Sequence, residues 1–294
     1  MSKPTNRRVI VVLGATSAQG SGVVAALLHN PKGQWAIRAV TRDTTSPWAE
    51  KFRSKYQAAE DRVSLVSGNV YDVDSLRFIF SGAYGVFAMI NEVLPGKPLV
   101  LPEEIRHQVT AGKDIVDTTK QCGLKHFVMS SLPDMVKASS GRFTEIYHMD
   151  HKFEIEQYAK KQLDCVTCVL PGIFDLGGEK TAGKNYPVLS PLISMDDMAA
   201  TFTRITGRKA IHSPLTHDEW ADLTAAMLGP AFREDVKQMI EWVSVAPTDK
   251  ICYGALDPEE DISAKELGVT TSTFEDWMKR TGWTGPTEVY KAAV

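Results

Sequence analysis

Short β-branched and apolar runs alternate, from Arg8 to about Pro171, with stretches whose apolar positions recur at helical spacing. Strands are expected at Val9 to Leu13, Trp35 to Val40, Val63 to Val66, Gly85 to Ile90, His126 to Ser130 and Cys165 to Leu170. Helices are expected near Gln19 to His29, Trp48 to Ala59, Asp74 to Phe80, Pro102 to Cys122 and His148 to Lys161. Six strands with five helical crossovers make an α/β fold with a doubly wound parallel sheet, and right-handed crossovers put its ligand crevice at the carboxyl ends of the strands. After Pro171 the rhythm changes. Gly172 to Pro191 lacks a period and reads as loop. Helices then follow at Met195 to Thr206, Thr216 to Met227, Phe232 to Trp242 and Thr273 to Arg280, with one short strand near Lys209 to His212.

Composition narrows the class. Hydrophobic residues at 43% and charged residues at 23% are those of an ordinary globular protein, and 294 residues suffice to bury a large core. A net charge of −3 gives no field to draw in nucleic acid or an anionic membrane, and the basic residues are dispersed, so direct nucleic-acid and membrane partners are not expected. Met1 to Arg8 is polar, and Val9 to Leu13 is too short for a signal core or a span. Four cysteines without framework spacing fit a reducing compartment, so a cytoplasmic location is expected, with the nucleus as the other option. Cys165 and Cys168 share the expected last strand, where residues three apart point to opposite faces, so they read as core and not as a redox pair. No histidine spacing suggests a metal site: His148 and His151 lie three apart on a helix without an evident third ligand.

The first strand runs through Gly14-Ala-Thr-Ser-Ala-Gln-Gly20-Ser-Gly22 into the apolar helix beginning at Val23. Small residues let a backbone approach a pyrophosphate closely, and the free N–H groups of a helix N-terminus favour its charge. Strand, turn and helix in that order predict a dinucleotide site. The second strand ends Ala39-Val-Thr-Arg-Asp43, with Arg42 about 20 residues beyond the turn, where the fingerprint expects the ribose contact. A guanidinium there suits a 2′-phosphate, which favours NADP (as NADPH) over NAD. Asp43 argues the other way, and Arg42 paired with it on the surface is the alternative.

With these pieces placed, the chain resembles the NmrA-like family of atypical short-chain dehydrogenase/reductase relatives. The resemblance rests on Gly14-Ala-Thr-Ser-Ala-Gln-Gly20, Gly68-Asn-Val-Tyr-Asp72, His126-Phe-Val-Met-Ser-Ser-Leu-Pro133, His148-Met-Asp-His-Lys152, Leu170-Pro-Gly172 and Trp277-Met-Lys-Arg-Thr-Gly-Trp283. It implies a Rossmann domain over residues 1–171 and a smaller, mostly helical substrate lobe over 172–294, with NADP or NAD across the sheet. It also implies either an oxidoreductase, in fungal members often serving secondary metabolism, or a redox-responsive regulator that binds a protein partner. Ser17 stands where the family usually has its middle glycine, which negative φ tolerates. Asn69 replaces the usual aspartate, and the stretch between Pro171 and Met195 is shorter than the family pattern.

The expected cofactor contacts are Gly14, Thr16, Ser17, Gln19, Gly20, Arg42, Asn69, Asn91 and Lys152. Ordinary short-chain dehydrogenases place a tyrosine four residues before such a lysine. Here that position is His148, while Tyr147 is rotated off the lysine face. His148 is therefore the expected proton-transfer residue, with a polar partner for Lys152 or a substrate wall as its other readings. Lys152 reads either as the ribose contact or as a solvated helix lysine. Ser130 closes the fifth strand as a candidate catalytic hydroxyl. Met89, Ser131, Phe174 and Asp175 are expected to line the pocket of a small-molecule substrate. An imine substrate would relax the need for a strong acid, because it readily gains the proton itself.

Overall fold

The computed structural model describes residues 7–30, 35–94, 96–170, 181–187, 189–268 and 271–285. Its sheet has seven parallel strands: β1 (Arg8–Val12), β2 (Trp35–Thr41), β3 (Val63–Ser67), β4 (Gly85–Ala88), β5 (His126–Ser130), β6 (Val166–Leu170) and β7 (Asn185–Pro187), in the order β3-β2-β1-β4-β5-β6-β7. Order reverses between β1 and β4, so two neighbouring crossovers leave in opposite directions and open a crevice at the carboxyl ends.

The continuous apolar run of β1 follows from burial on both faces. Ile10 and Val12 pack under α1 (Ala18–His29) and α2 (Pro47–Tyr56), while Val11 and Leu13 pack under α3 (Val73–Phe80), α4 (His107–Gln121) and α6 (Tyr147–Gln162). Side chains start the helices where the chain leaves the strands. The Ser17 hydroxyl accepts from Gly20 N–H at 3.1 Å, Ser46 caps α2 with Pro47 in its first turn, and Asp72 accepts from Asp74 and Ser75. Each cap satisfies a first-turn N–H that has no partner within its helix.

Three details differ from the expectation. The region Gly172 to Pro191, read as loop, contributes β7, three residues ending in proline, too short for periodicity to register and compatible with an edge position. Lys209 to His212 forms no strand, because no neighbouring strand meets its backbone there. Pro102 to Cys122 splits into a tighter 3₁₀ turn, Pro102–Arg106, and α4.

The later residues form α7 (Met195–Thr206), α8 (His217–Leu228), α9 (Arg233–Val245), α10 (Ser263–Leu267) and α11 (Phe274–Thr281). Helix α9 reaches back to the segment that carries α5 (Met135–Ala138) and the start of α6. Trp242 packs edge-on against Phe143 at 5.8 Å, beside Met135, Ile146 and Met149. Of the four tryptophans after Pro171, Trp242 is buried, while Trp220, Trp277 and Trp283 keep more than a third of their surface in solvent. Cys168 is buried in β6, and no disulfide joins any of the four cysteines. Among the described residues no helix is long and apolar enough to cross a membrane, and no cluster of potential metal ligands occurs.

Two buried imidazoles make stability depend on pH. Burial pushes His126 down to about 4, and burial together with the Arg106 charge pushes His151 down to about 4. An unfolded histidine titrates near ~6.5. Above that pH neither state takes up a proton and the full stabilisation is present. As pH falls from about 6.5 to about 4, the unfolded chain binds protons that the native chain refuses, costing on the order of 2–3 kcal/mol per histidine. Urea unfolding at a series of pH values in this window should show the loss, and His126→Gln should flatten it; an unchanged slope in the variant contradicts the assignment.

Candidate functional site

At the β1 turn Gly14 takes φ +64°, in the left-handed region. A Cβ on Gly20 would lie 2.2 Å from the Gly14 carbonyl oxygen, so only glycine lets α1 start this close to the strand. Ser17 keeps φ at −77°, as its replacement of a glycine requires. A cavity of about 770 Å³ opens over this turn and runs along the carboxyl ends of β2, β1 and β4. It is lined by Gly14, Thr16 and Ser17 in the middle, by Arg42, Trp48, Lys51 and Lys55 beyond β2, by Tyr71 beyond β3, and by Met89, Asn91 and Val93 beyond β4.

Arg42 does not pair with Asp43. The Asp43 carboxylate accepts from Thr45 N–H at 2.7 Å and from the Thr45 hydroxyl at 2.6 Å, bonds that hold it below the usual carboxylate range. Trp48, Lys51 and Lys55 stand three and four residues apart, on one face of α2. Among the described residues, Arg42, Lys51 and Lys55 make no ion pair; Lys51 and Lys55 lie over the Trp48 and Tyr56 rings. Three uncompensated cations thus line one end of the cavity.

Beyond Asn91 the chain carries Glu92, and there the polar side chains of α6 begin. His148, Lys152 and Glu156 recur every four residues along one helix face. Their side chains are 23%, 6% and 2% exposed, so the stripe descends from the rim into the core. Lys152 is paired with Glu92, and its ammonium also reaches the His148 carbonyl at 3.4 Å. Burial alone would raise Glu92, but the Lys152 charge and hydrogen bond outweigh it and hold the carboxyl low. His148 Nδ1 lies 2.6 Å from Asp235 Oδ2, and its backbone N–H donates to Asp235 Oδ1 at 2.9 Å. The Tyr71 hydroxyl meets His107 Nδ1 at 3.3 Å, and His107 Nε2 meets the Glu92 carbonyl at 2.8 Å, linking the cavity wall to this cluster.

The remaining expected residues are placed as follows. Gln19 and Asn69 are exposed and off the cavity lining, Asn69 accepting from Tyr71 N–H at 3.1 Å. Gly20 acts through packing and not as lining. Ser130 is buried at the end of β5. The Ser131 hydroxyl donates to buried Glu156 at 2.5 Å, and Glu156 also holds Lys160 and Asn185 at 2.9 Å each. Phe174 and Asp175 lie outside the described residues. Tyr147 turns from Lys152: its hydroxyl bonds Glu145 at 3.0 Å, and burial and that carboxylate push the phenol up to about 12. Sequence reasoning missed Lys51 and Lys55, legible from their helical spacing, and Glu92, adjacent to a residue it named. It missed Asp235 for want of any local signal, since 87 positions separate it from His148.

The sequence pattern of the NmrA-like family matches residues 6–176. The chain belongs to that family. Among its relatives is the NmrA-like oxidoreductase FrzB of a Cladobotryum species, 33% identical over 90% of this chain and 91% of that protein. That alignment runs to 330 positions, so several dozen of them have no residue in this chain. The Aspergillus flavus relative lnaB is 32% identical over 53% of this chain, and the match spans 43% of that protein. Among solved structures, NmrA, a negative transcriptional regulator in complex with NAD, matches over 95% of this chain and 92% of its own at 20% identity and TM-score 0.58. A Citrobacter triphenylmethane reductase complexed with NADP(H) matches over 93% and 99% at 15% identity, with the same score. These two likenesses concern the fold alone.

The packing at the turn gives a direct test. Gly20→Ala forces its methyl into the Gly14 backbone, and overpacking of this kind costs about 1–3 kcal/mol. The variant should melt several degrees lower and bind dinucleotide roughly tenfold more weakly by fluorescence titration. Unchanged melting and binding would mean that the turn relaxes freely.

Proposed function

We propose that this protein binds NADP(H) along the carboxyl ends of β2, β1 and β4 and is a fungal NmrA-like oxidoreductase of secondary metabolism. In this reading it reduces a carbonyl or imine of a small, largely apolar metabolite. The observation that carries the cofactor assignment is the uncompensated set Arg42, Lys51 and Lys55 at the β2 end of the cavity, while Asp43 is occupied by Thr45. A ribose carrying only hydroxyls has no use for three cations, and a 2′-phosphate does. Named relatives that are oxidoreductases of fungi, FrzB and lnaB among them, support the reaction class.

The β1 turn and the start of α1 would hold the pyrophosphate against backbone N–H groups. Asn91 and Met89 would border the nicotinamide, and Lys152, released from Glu92, would take the ribose hydroxyls. Bound reduced nicotinamide supplies hydride. His148 holds the proton for the carbonyl oxygen, and residues 172–294 form the substrate-side lobe. A cofactor-assisted cyclisation uses the same arrangement.

A second reading has one observation in its favour. The phenol nearest the usual acid position, Tyr147, is turned to Glu145 and pushed up to about 12. A nucleotide-binding regulatory protein that signals redox state to a protein partner needs no acid.

Two measurements separate these readings. NADPH mixed with a panel of ketones and cyclic imines should lose its reduced-nicotinamide absorbance with at least one of them; binding without consumption across the panel favours the regulator. Arg42→Asp should weaken NADPH by roughly 10- to 100-fold in calorimetric titration and leave NADH within about threefold. Equal losses for the two nucleotides would remove the NADP assignment.

A further inference from the structure

Helix α6 begins without a side-chain cap of its own, since its N-cap position is Ile146. The cap comes instead from the tail. Asp235 on α9 offers one carboxylate oxygen to the His148 backbone N–H and the other to His148 Nδ1. Next to it Gln238 Oε1 accepts from Thr144 and Glu145 N–H at 3.0 and 2.9 Å and its Nε2 donates to Glu145 Oε2 at 2.8 Å, so α9 is pinned to the approach to α6 by five hydrogen bonds. The Asp235 side chain is 1% exposed, out of reach of solvent and of any substrate. His148 is 23% exposed, and no described residue bonds its Nε2. Of the other charges around this helix start, Lys152 and Glu92 are paired with each other, and Glu145 and Glu234 are held by Gln238.

We propose that Asp235 is a positioning residue that locks His148 with its proton on Nδ1 and aims Nε2 into the cleft as the edge that exchanges a proton with substrate. The assignment rests on the NADP(H) reading of the cavity. A carboxylate can only accept, so Nδ1 must carry hydrogen in every protonation state, and the titrating proton is confined to Nε2. In the reducing direction the π pair of the substrate C=O moves onto oxygen as hydride from NADPH reaches the carbon. Nε2 then gives its proton to that oxygen, leaving neutral imidazole with Nδ1–H on Asp235. The tail therefore supplies a part of the proton-transfer device that the nucleotide-binding half lacks.

Asp235→Asn separates this role from simple capping. Asparagine caps a helix as well as aspartate does, so with the amide oxygen on His148 N–H the melting temperature should hold. The amide NH₂ then faces Nδ1, which must become the acceptor, and the neutral ring should flip to the Nε2–H form. Nitrogen-15 spectra of the full chain labelled at histidine, taken at slightly alkaline pH, read the tautomer directly. Expected are Nδ1–H for His148 in the wild type and Nε2–H in the variant. An Nε2–H wild type, or one tautomer in both proteins, overturns the proposal.

Carbethoxylation by diethylpyrocarbonate supplies the second readout, because the reagent attacks an unprotonated ring nitrogen. His148 should react in the wild type, at least about tenfold more slowly in the variant, and more slowly again in the wild type once NADPH is added. A tautomer flip without NADPH protection leaves Asp235 as a lock, but places Nε2 away from the nucleotide, and the proton-donor role falls. NADPH protection without a flip upholds the cofactor reading and overturns the part assigned to Asp235.

Discussion

The approach of Gly20 to the Gly14 carbonyl is the contact on which the rest depends. Because no Cβ intervenes, α1 starts directly over the end of β1, at the crevice where strand order reverses. Ser17 makes the start definite by accepting from Gly20, and it does so at a negative φ that a side chain tolerates.

The second organising feature is the face of α6 that carries His148, Lys152 and Glu156. Each takes its partner from a different part of the chain: Asp235 from the tail, Glu92 from the exit of β4, Ser131 and Asn185 from the ends of β5 and β7. Burying a carboxylate as deep as Glu156 requires that its lone pairs be used, and they are, by Ser131, Lys160 and Asn185. That inner end joins the sheet to its last strand. The outer end, at His148, is left with fewer bonds and more solvent. One helix face thus grades from buried to solvent-exposed over eight residues.

Where sequence reasoning succeeded and failed follows from the range of the interactions involved. The six longer strands and the glycine turn are written locally, in buried runs and small residues, and the structure has them within a residue or two. Lys51 and Lys55 are written just as locally, in helical spacing, but their importance appears only once α2 is seen to lean over the cavity beside Arg42. Strand β7 has three residues and no periodicity, and its existence follows from β6 offering an open edge. The pairing feared between Arg42 and Asp43 is undone by Thr45, a competition settled by a turn geometry that adjacency does not reveal.

What the sequence determined by itself is the parallel α/β sheet, the place of the phosphate turn and the family, because each rests on neighbours within one strand or one helical turn. Only the tertiary structure brought Asp235 across 87 positions to His148, set Glu92 against Lys152, and left Arg42 uncompensated. Those are pairings between charged and polar groups on separate elements, and no local pattern encodes them: their partners are chosen by how the elements pack.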